Sequence, residues 1–581
     1  METRDVKKLI KVALGQEKAD LAVLNTQLVN VYTGEILENH SVCIKDKWIA
    51  YVGTDPQDSI GPETHVIDAE GKTVIPGLID GHTHIAWFYT AEEFLKYAIK
   101  GGTTTVVTET LEPYPVCGYE GVIDFLDSLK DQPIKLFATA PAMVSISQEA
   151  RGIPTETLKK LFTRPEIIGL GESYWQAILQ EPEQYLPQFN EALLSGKTLE
   201  GHSAGARGKK LIAYAAAGIS SCHEPIAVNE VIERLRLGIY VMIREGSIRR
   251  DLEEISEIRK AGVDLRRLVL VTDSVIPEEL IEKGYMEYVV QKAIDCGFDP
   301  VTAIQMATLN VADHFKLDHL VGGIAPGRFA DMVVIPDVRT IEAQVVISNG
   351  RVVAQEGSLL EKPRKHRFNT KSLNSINLPE EMTGPDFSIS VNGESTQMTV
   401  RVIDMVTDLV TREISMDLAV EEGKIKADLK QDLLKIAAID RANQPGKTFV
   451  GLIRGFQMKT GAIACSAAWD TSDIVVVGAM DNDMAQAVNR IRTLQGGAVV
   501  CAHGNVLAEL PLPIFGIMSD LPLEDIVKHA KDLKKASAGL GIPFSDPILT
   551  LITLTSAAIP YLRICEEGLM NLKDGKIVGL Y

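Results

Sequence analysis

Between residues 73 and 325 short apolar runs alternate eight times with amphipathic helical stretches, a pattern that limits this part of the chain to folds built on a parallel sheet. The runs cover 74–84, 103–108, 134–140, 167–172, 198–202, 218–223, 239–245 and 268–273. Parallel strands need a crossover to carry the chain back, and eight strand–helix units in roughly 250 residues have the size of a TIM barrel. A doubly wound sheet is the competing arrangement, but no glycine-rich dinucleotide loop follows the first run. The expected fold class is therefore α/β, a (β/α)8 TIM-like barrel.

Both flanks of that segment are rich in short β runs. Residues 21–24, 28–32, 41–44 and 48–52 are separated by turn residues such as Thr33-Gly34 and Lys45-Asp46, and read as a small antiparallel sheet. A matching group at 330–335, 343–348 and 351–354 contains the hairpin signal Asn349-Gly350. The two flanks are expected to complete one small β-sandwich domain. After it the chain turns polar, and Lys362-Pro-Arg-Lys-His-Arg367 reads as a solvated connection. The last region has a mixed α/β pattern, with a strand at 473–478 and a helix at 481–494. The expected division is 1–73 and 326–360 for the small β domain, 74–325 for the barrel, 361–383 for the linker and 384–581 for a C-terminal α/β domain.

Charge narrows the partners. A formal net charge of -19 on 581 residues disfavours a nucleic-acid backbone or an anionic membrane surface, both of which reward a basic face. Residues 1–21 lack the apolar core of a signal peptide, and no stretch approaches the roughly 18 apolar residues of a membrane span. A cytoplasmic location is expected. The seven cysteines are scattered and never spaced as CxxC, which suggests neither a disulfide framework nor a zinc ribbon.

The chemistry-bearing residues sit at the ends of the apolar runs. The first ends Pro76-Gly77-Leu78-Ile79-Asp80-Gly81-His82-Thr83-His84. In a strand His82 and His84 share one face, about 7 Å apart, so two imidazoles can grip one cation. The fourth run ends in Glu172, the fifth in His202, the sixth in His223 followed by Glu224, and the eighth in Asp273. Taken singly, a strand-end histidine is often a core residue, and a strand-end acid often caps the next helix. Together, at the C-terminal mouth of a barrel, four imidazoles and two carboxylates suit a pair of divalent transition ions.

These motifs, with Gly322-Gly-Ile-Ala-Pro-Gly-Arg-Phe-Ala-Asp331, resemble the amidohydrolase superfamily, and more narrowly the adenine deaminase family. The resemblance continues through Arg454-Gly-Phe-Gln-Met-Lys-Thr-Gly-Ala462 and Leu512-Pro-Ile-Phe-Gly-Ile-Met-Ser-Asp520, so it spans nearly the whole chain. It implies metal ligands His82, His84, Glu172, His202, His223 and Asp273, with Glu172 as the bridge. It also implies a divalent transition metal, two per chain with manganese favoured over iron or zinc, and a homo-oligomer. Several positions depart from the family's pattern: Ala86-Trp87 stand where a Glu-Ser pair is usual, Glu109-Thr-Leu-Glu112-Pro113 where an acidic-proline-histidine-glutamate run is, Ser274 where a second acid follows Asp273, and Trp469 and Ser472 replace two histidines of an HDSHN-like segment.

The implied reaction is hydrolysis of adenine, a purine base, to hypoxanthine and ammonia, with metal-activated hydroxide adding at C6. Asp273 and Glu224 are the carboxyls available to move the protons; orienting His223 is the other role open to Glu224. The departures leave a related hydrolase of another heterocycle or cyclic amide as the alternative, and a non-catalytic homologue as a more distant one. Glu109 and Glu112, after the second run, read as loop acids, with substrate contact as the other possibility.

Overall fold

The computed structural model describes residues 4–391, 393 and 395–581. The first three residues of the N-terminal stretch, and two positions in the C-terminal region, lie outside them. All eight expected runs contain strands. Thr198–His202, Ile167–Tyr174, Lys135–Ala140, Thr103–Thr108 and Leu78–Thr83 lie side by side in one parallel sheet. Ser221–Cys222, Tyr240–Arg244 and Leu268–Val271 form a second. The parallel strands make a curled half-barrel within a mixed α/β structure. Two hydrogen bonds cross between the sheets, Ser220 N to Leu199 O at 3.0 Å and Asp273 N to His82 O at 3.0 Å.

The strands follow from their composition. Thr103-Thr-Thr-Val-Val-Thr108 is almost wholly β-branched, and every one of its residues is buried. Intervening helices carry local start signals: Thr90 caps Ala91–Ala98 by accepting from Glu93 N at 3.4 Å, and Asp299 caps Pro300–Met306 with proline at the first turn.

The first run, read as one strand over 74–84, is two. Thr73–Pro76 joins the flanking sheet, and Leu78–Thr83 begins the parallel one. The chain passes from one to the other at Gly77, where a Cβ would stand 2.1 Å from the Thr104 hydroxyl. Only glycine lets the crossing strands approach that closely.

The flanks do complete a single sheet, of nine strands, in which Met332–Ile335 pairs with Thr73–Pro76. It is mixed rather than antiparallel, since Leu21–Asn30 runs parallel to both His65–Asp68 and Thr73–Pro76. The polar connection is docked, not free. Asp124 accepts from Asn369 N at 3.0 Å and from Ser372 Oγ at 2.5 Å and pairs with His366 at 2.8 Å, while Gln132 exchanges hydrogen bonds with the Arg364 backbone.

In the C-terminal region, strand Asp473–Gly478 and helix Asp481–Leu494 coincide with the expected segments. They belong to an eight-stranded sheet whose pairings are antiparallel except between Gln397–Met405 and Thr448–Arg454. This region lies directly over the C-terminal ends of the parallel strands. Phe88 N donates to Ile517 O at 3.3 Å, Ser519 N to Phe88 O at 3.0 Å, and Ser145 Oγ to Asp470 O at 2.7 Å. One apolar core runs through both, from Phe125 and Leu170 to Ile463 and Phe515.

Candidate metal centre

The strand ends bring all six expected ligands, with Glu224, into one buried cluster. His82 Nε2 lies 3.4 Å from Glu172 Oε1 and 3.4 Å from Asp273 Oδ1, and His84 Nε2 lies 3.5 Å from the same two oxygens. His223 Nε2 is 3.3 Å from Glu172 Oε1 and 3.5 Å from Glu224 Oε1, and His202 Nε2 is 3.1 Å from Glu224 Oε1. Two ligand atoms each about 2.1 Å from a common ion stand roughly 3.0–3.5 Å apart, so these separations suit coordination. The donors fall into two overlapping groups, His82, Glu172, His223 and Asp273, then His202, His223 and Glu224.

Two observations fit this set to cations. His82 Nε2 and His84 Nε2 are fully buried and have no hydrogen-bond partner among the described residues, an arrangement that protein interiors otherwise avoid. On the far side of each ring a carboxylate faces Nδ1. His84 Nδ1 donates to Glu112 Oε1 at 2.5 Å, and His82 Nδ1 lies 3.5 Å from Glu109 Oε1. Such a partner holds the proton on Nδ1 and turns the Nε2 lone pair towards an ion.

Glu109 and Glu112 are thus not solvated loop acids. They are 1% and 4% exposed, turned inward against His82, His84 and Gly171 of the neighbouring strands. Burial opposes charge on His82, yet the negative carboxylates of Asp273, Glu109 and Glu172 around the ring hold its pKa well above the ordinary value. His223 is pushed down by burial and by the like charge of His82, although Glu172 stands 3.3 Å from its Nε2. A divalent ion would displace the protons that the acid-rich half attracts.

Local backbone aims the remaining groups. Asp273 and Ser274 both have positive φ, 51° and 85°, a costly pair for non-glycine residues that turns the chain sharply at the end of the eighth strand. Asp80 ties that end to the first strand, accepting from Tyr285 Oη at 2.5 Å, Thr272 Oγ1 at 2.6 Å and His82 N at 3.1 Å. Burial raises the Asp80 carboxyl to about 6 against the pull of these donors.

Sequence reading missed Arg244, a lone cation in the apolar seventh strand. Its Nη1 donates to Glu224 Oε1 at 2.5 Å and Asp273 Oδ2 at 3.2 Å. Although burial opposes it, this guanidinium, with His202, keeps the Glu224 carboxyl well below its usual range. An arginine in an otherwise apolar run was the available signal.

Nor did the sequence show that the C-terminal region enters the site. The Trp469 ring lies 5.0 Å from His84 and 5.7 Å, edge to face, from Trp87. Tyr174 Oη contacts Glu172 Oε2 at 3.0 Å and Asp470 Oδ1 at 3.2 Å, while Asp470 Oδ2 accepts from Ala557 N at 2.8 Å. Burial raises the Asp470 carboxyl to about 7. A cavity of about 520 Å³ lined by Trp175 and Tyr561 adjoins a smaller one of about 40 Å³ that reaches Tyr174. The seven cysteines are all free thiols, and among the described residues no helix is long and apolar enough to cross a membrane.

Known proteins match on both sides of this site. Residues 73–353 match the amidohydrolase family, and residues 408–576 match the adenine deaminase C-terminal domain. An adenine deaminase of Clostridium botulinum (strain 657 / Type Ba4) is 34% identical over 584 residues, covering 99% of this chain and 97% of that one. One of Moorella thermoacetica is 35% identical over 583 residues, covering 99% and 98%. Among solved structures, an amidohydrolase aligns at TM-score 0.45 and 16% identity, over 59% of this chain and 100% of that one.

Proposed function

The chain belongs to the adenine deaminase family of amidohydrolases, and from that premise we propose that it hydrolyses adenine to hypoxanthine and ammonia. The observation that carries the reading is the pair of buried, unpartnered imidazole nitrogens of His82 and His84, set against Glu172 and Asp273.

In this reading His82, His84, Glu172 and Asp273, with His202 and His223, would hold the divalent ions. Bound there, such ions supply Lewis acidity and bring the pKa of water towards neutrality. Asp273 takes the proton of the attacking water and returns it to the leaving amine. Oxygen bonds to C6 and the C6–N6 bond then breaks; one proton of the water leaves with ammonia and the other stays on the hypoxanthine ring. Sequence alone offered Glu224 as a second proton carrier. Its ion pair with Arg244 favours the carboxylate, so we assign it to the His202 and His223 end of the centre as a fixed negative charge.

The rest of the reading is equally ours. The hydrogen bonds from Ser220 to Leu199 and from Asp273 to His82 support closure of the parallel strands into a (β/α)8 barrel. We divide the chain at 1–73 with 326–360, 74–325, 361–383 and 384–581. Manganese is the favoured metal, two ions per chain, in a cytoplasmic homo-oligomer that binds neither nucleic acid nor membrane. The test is ammonia release from adenine by metal-stripped protein, before and after manganese is restored. Manganese-dependent release is expected. Two tightly bound ions per chain without release would leave the centre in place and remove adenine as the substrate.

A further inference from the structure

The two indoles at the metal centre differ in one respect that bears on substrate choice. Trp469 is 5.0 Å from His84, and Trp87, three residues beyond His84 in the chain, packs edge to face on Trp469 at 5.7 Å. Trp87 is 3% exposed and its Nε1 hydrogen has no partner among the described residues. A buried N–H left unpaired costs about 1–3 kcal/mol, and such groups in native proteins call for an explanation. Its loop has little freedom to relieve that cost. Trp87 N donates to Ile85 O at 2.7 Å, and Phe88, at φ 67°, is bonded through both backbone groups to Ile517 and Ser519 of the C-terminal region.

We infer that the Trp87 indole N–H is a specificity-determining donor that recognises an acceptor nitrogen in the ring of a planar heterocyclic substrate. This rests on the proposed deamination and sharpens it. A neutral purine offers ring nitrogens with in-plane lone pairs besides N1, next to the reacting carbon. A substrate carrying C–H at the position met by Trp87 leaves the donor unpaired, and is disfavoured by the hydrogen bond it fails to make.

The experiment compares adenine with 3-deazaadenine and 7-deazaadenine, each of which replaces one ring nitrogen by C–H, in the manganese-loaded wild type and in Trp87→Phe. Wild type should prefer adenine to one of the two analogues by about tenfold or more in kcat/KM. In Trp87→Phe that preference should fall to within about twofold, with the loss of adenine turnover lying mainly in KM. Metal content and thermal unfolding report whether the variant folds. If it does not, benzothienylalanine at position 87 keeps the indole shape, removes only the N–H, and gives the same readout. Unchanged discrimination in a folded variant overturns the inference alone, as does a wild type indifferent to both analogues. No release of ammonia from adenine by wild type overturns the deaminase reading, and this inference with it.

Discussion

The barrel strands and the C-terminal region build opposite sides of one site by different physics. Every expected metal ligand lies within two residues of the end of a parallel strand, held by backbone hydrogen bonds to neighbouring strands. Trp469 and Asp470 instead belong to a loop of another sheet, placed by contacts such as Ser145 Oγ to Asp470 O and Trp469 N to Thr555 Oγ1 at 3.1 Å. The first side is local geometry repeated eight times, whereas the second exists only after two regions pack together. The lesson is that a cation site can be strictly specified by short motifs while the groups facing its substrate are set by docking.

The largest expected effect lies on the barrel side. Glu172→Gln removes the charge shared by His82, His84 and His223, and should cost about 1,000-fold in adenine turnover together with bound metal. Ammonia release and elemental analysis measure both; intact turnover would remove Glu172 from the centre. Next comes Glu112→Gln, which leaves every ligand in place but weakens the hold on His84 Nδ1. A 10–100-fold loss of metal affinity is expected from titration of stripped protein, with no loss of fold. An unchanged affinity would make Glu112 a packing residue.

A smaller effect separates barrel stability from metal chemistry. Glu287, packed against Gly101 and Gly284 with Oε2 unpartnered, has its carboxyl raised by burial to about 7 from 4.5. The folded state holds this proton more tightly than the unfolded chain, so the stabilisation is complete below pH 4.5 and is lost as pH rises through about 7. Between pH 5 and pH 8 wild type should lose about 1–2 kcal/mol more than Glu287→Gln, the full shift being discounted because the residue is partly exposed. Denaturant unfolding at the two pH values checks it, and parallel losses would show that Glu287 does not titrate there.

Much of this was legible in the sequence because strand periodicity and strand ends are local properties. The clustered residues His82, His84, Glu172, His202, His223 and Asp273 could be named from run endings alone, and the segments 473–478 and 481–494 needed only a β-branched run and a helical repeat. What escaped depends on distant chain. The break at Gly77 is set by Thr104 on the next strand. Glu109 and Glu112 look like surface acids until the neighbouring strand ends turn them onto His82 and His84, and Trp469 reaches His84 from a region some 400 residues later. Arg244 was visible, but one cation in an apolar strand carries no spacing pattern to read.

The claim that the two sides are separable is tested most directly by Trp469→Ala, with metal content and adenine turnover measured on the same sample. The account predicts a full metal complement and a fall in kcat/KM of about 100-fold, since a buried aromatic wall is lost while no ligand moves. Loss of the metal together with activity, or wild-type turnover in the variant, would contradict it.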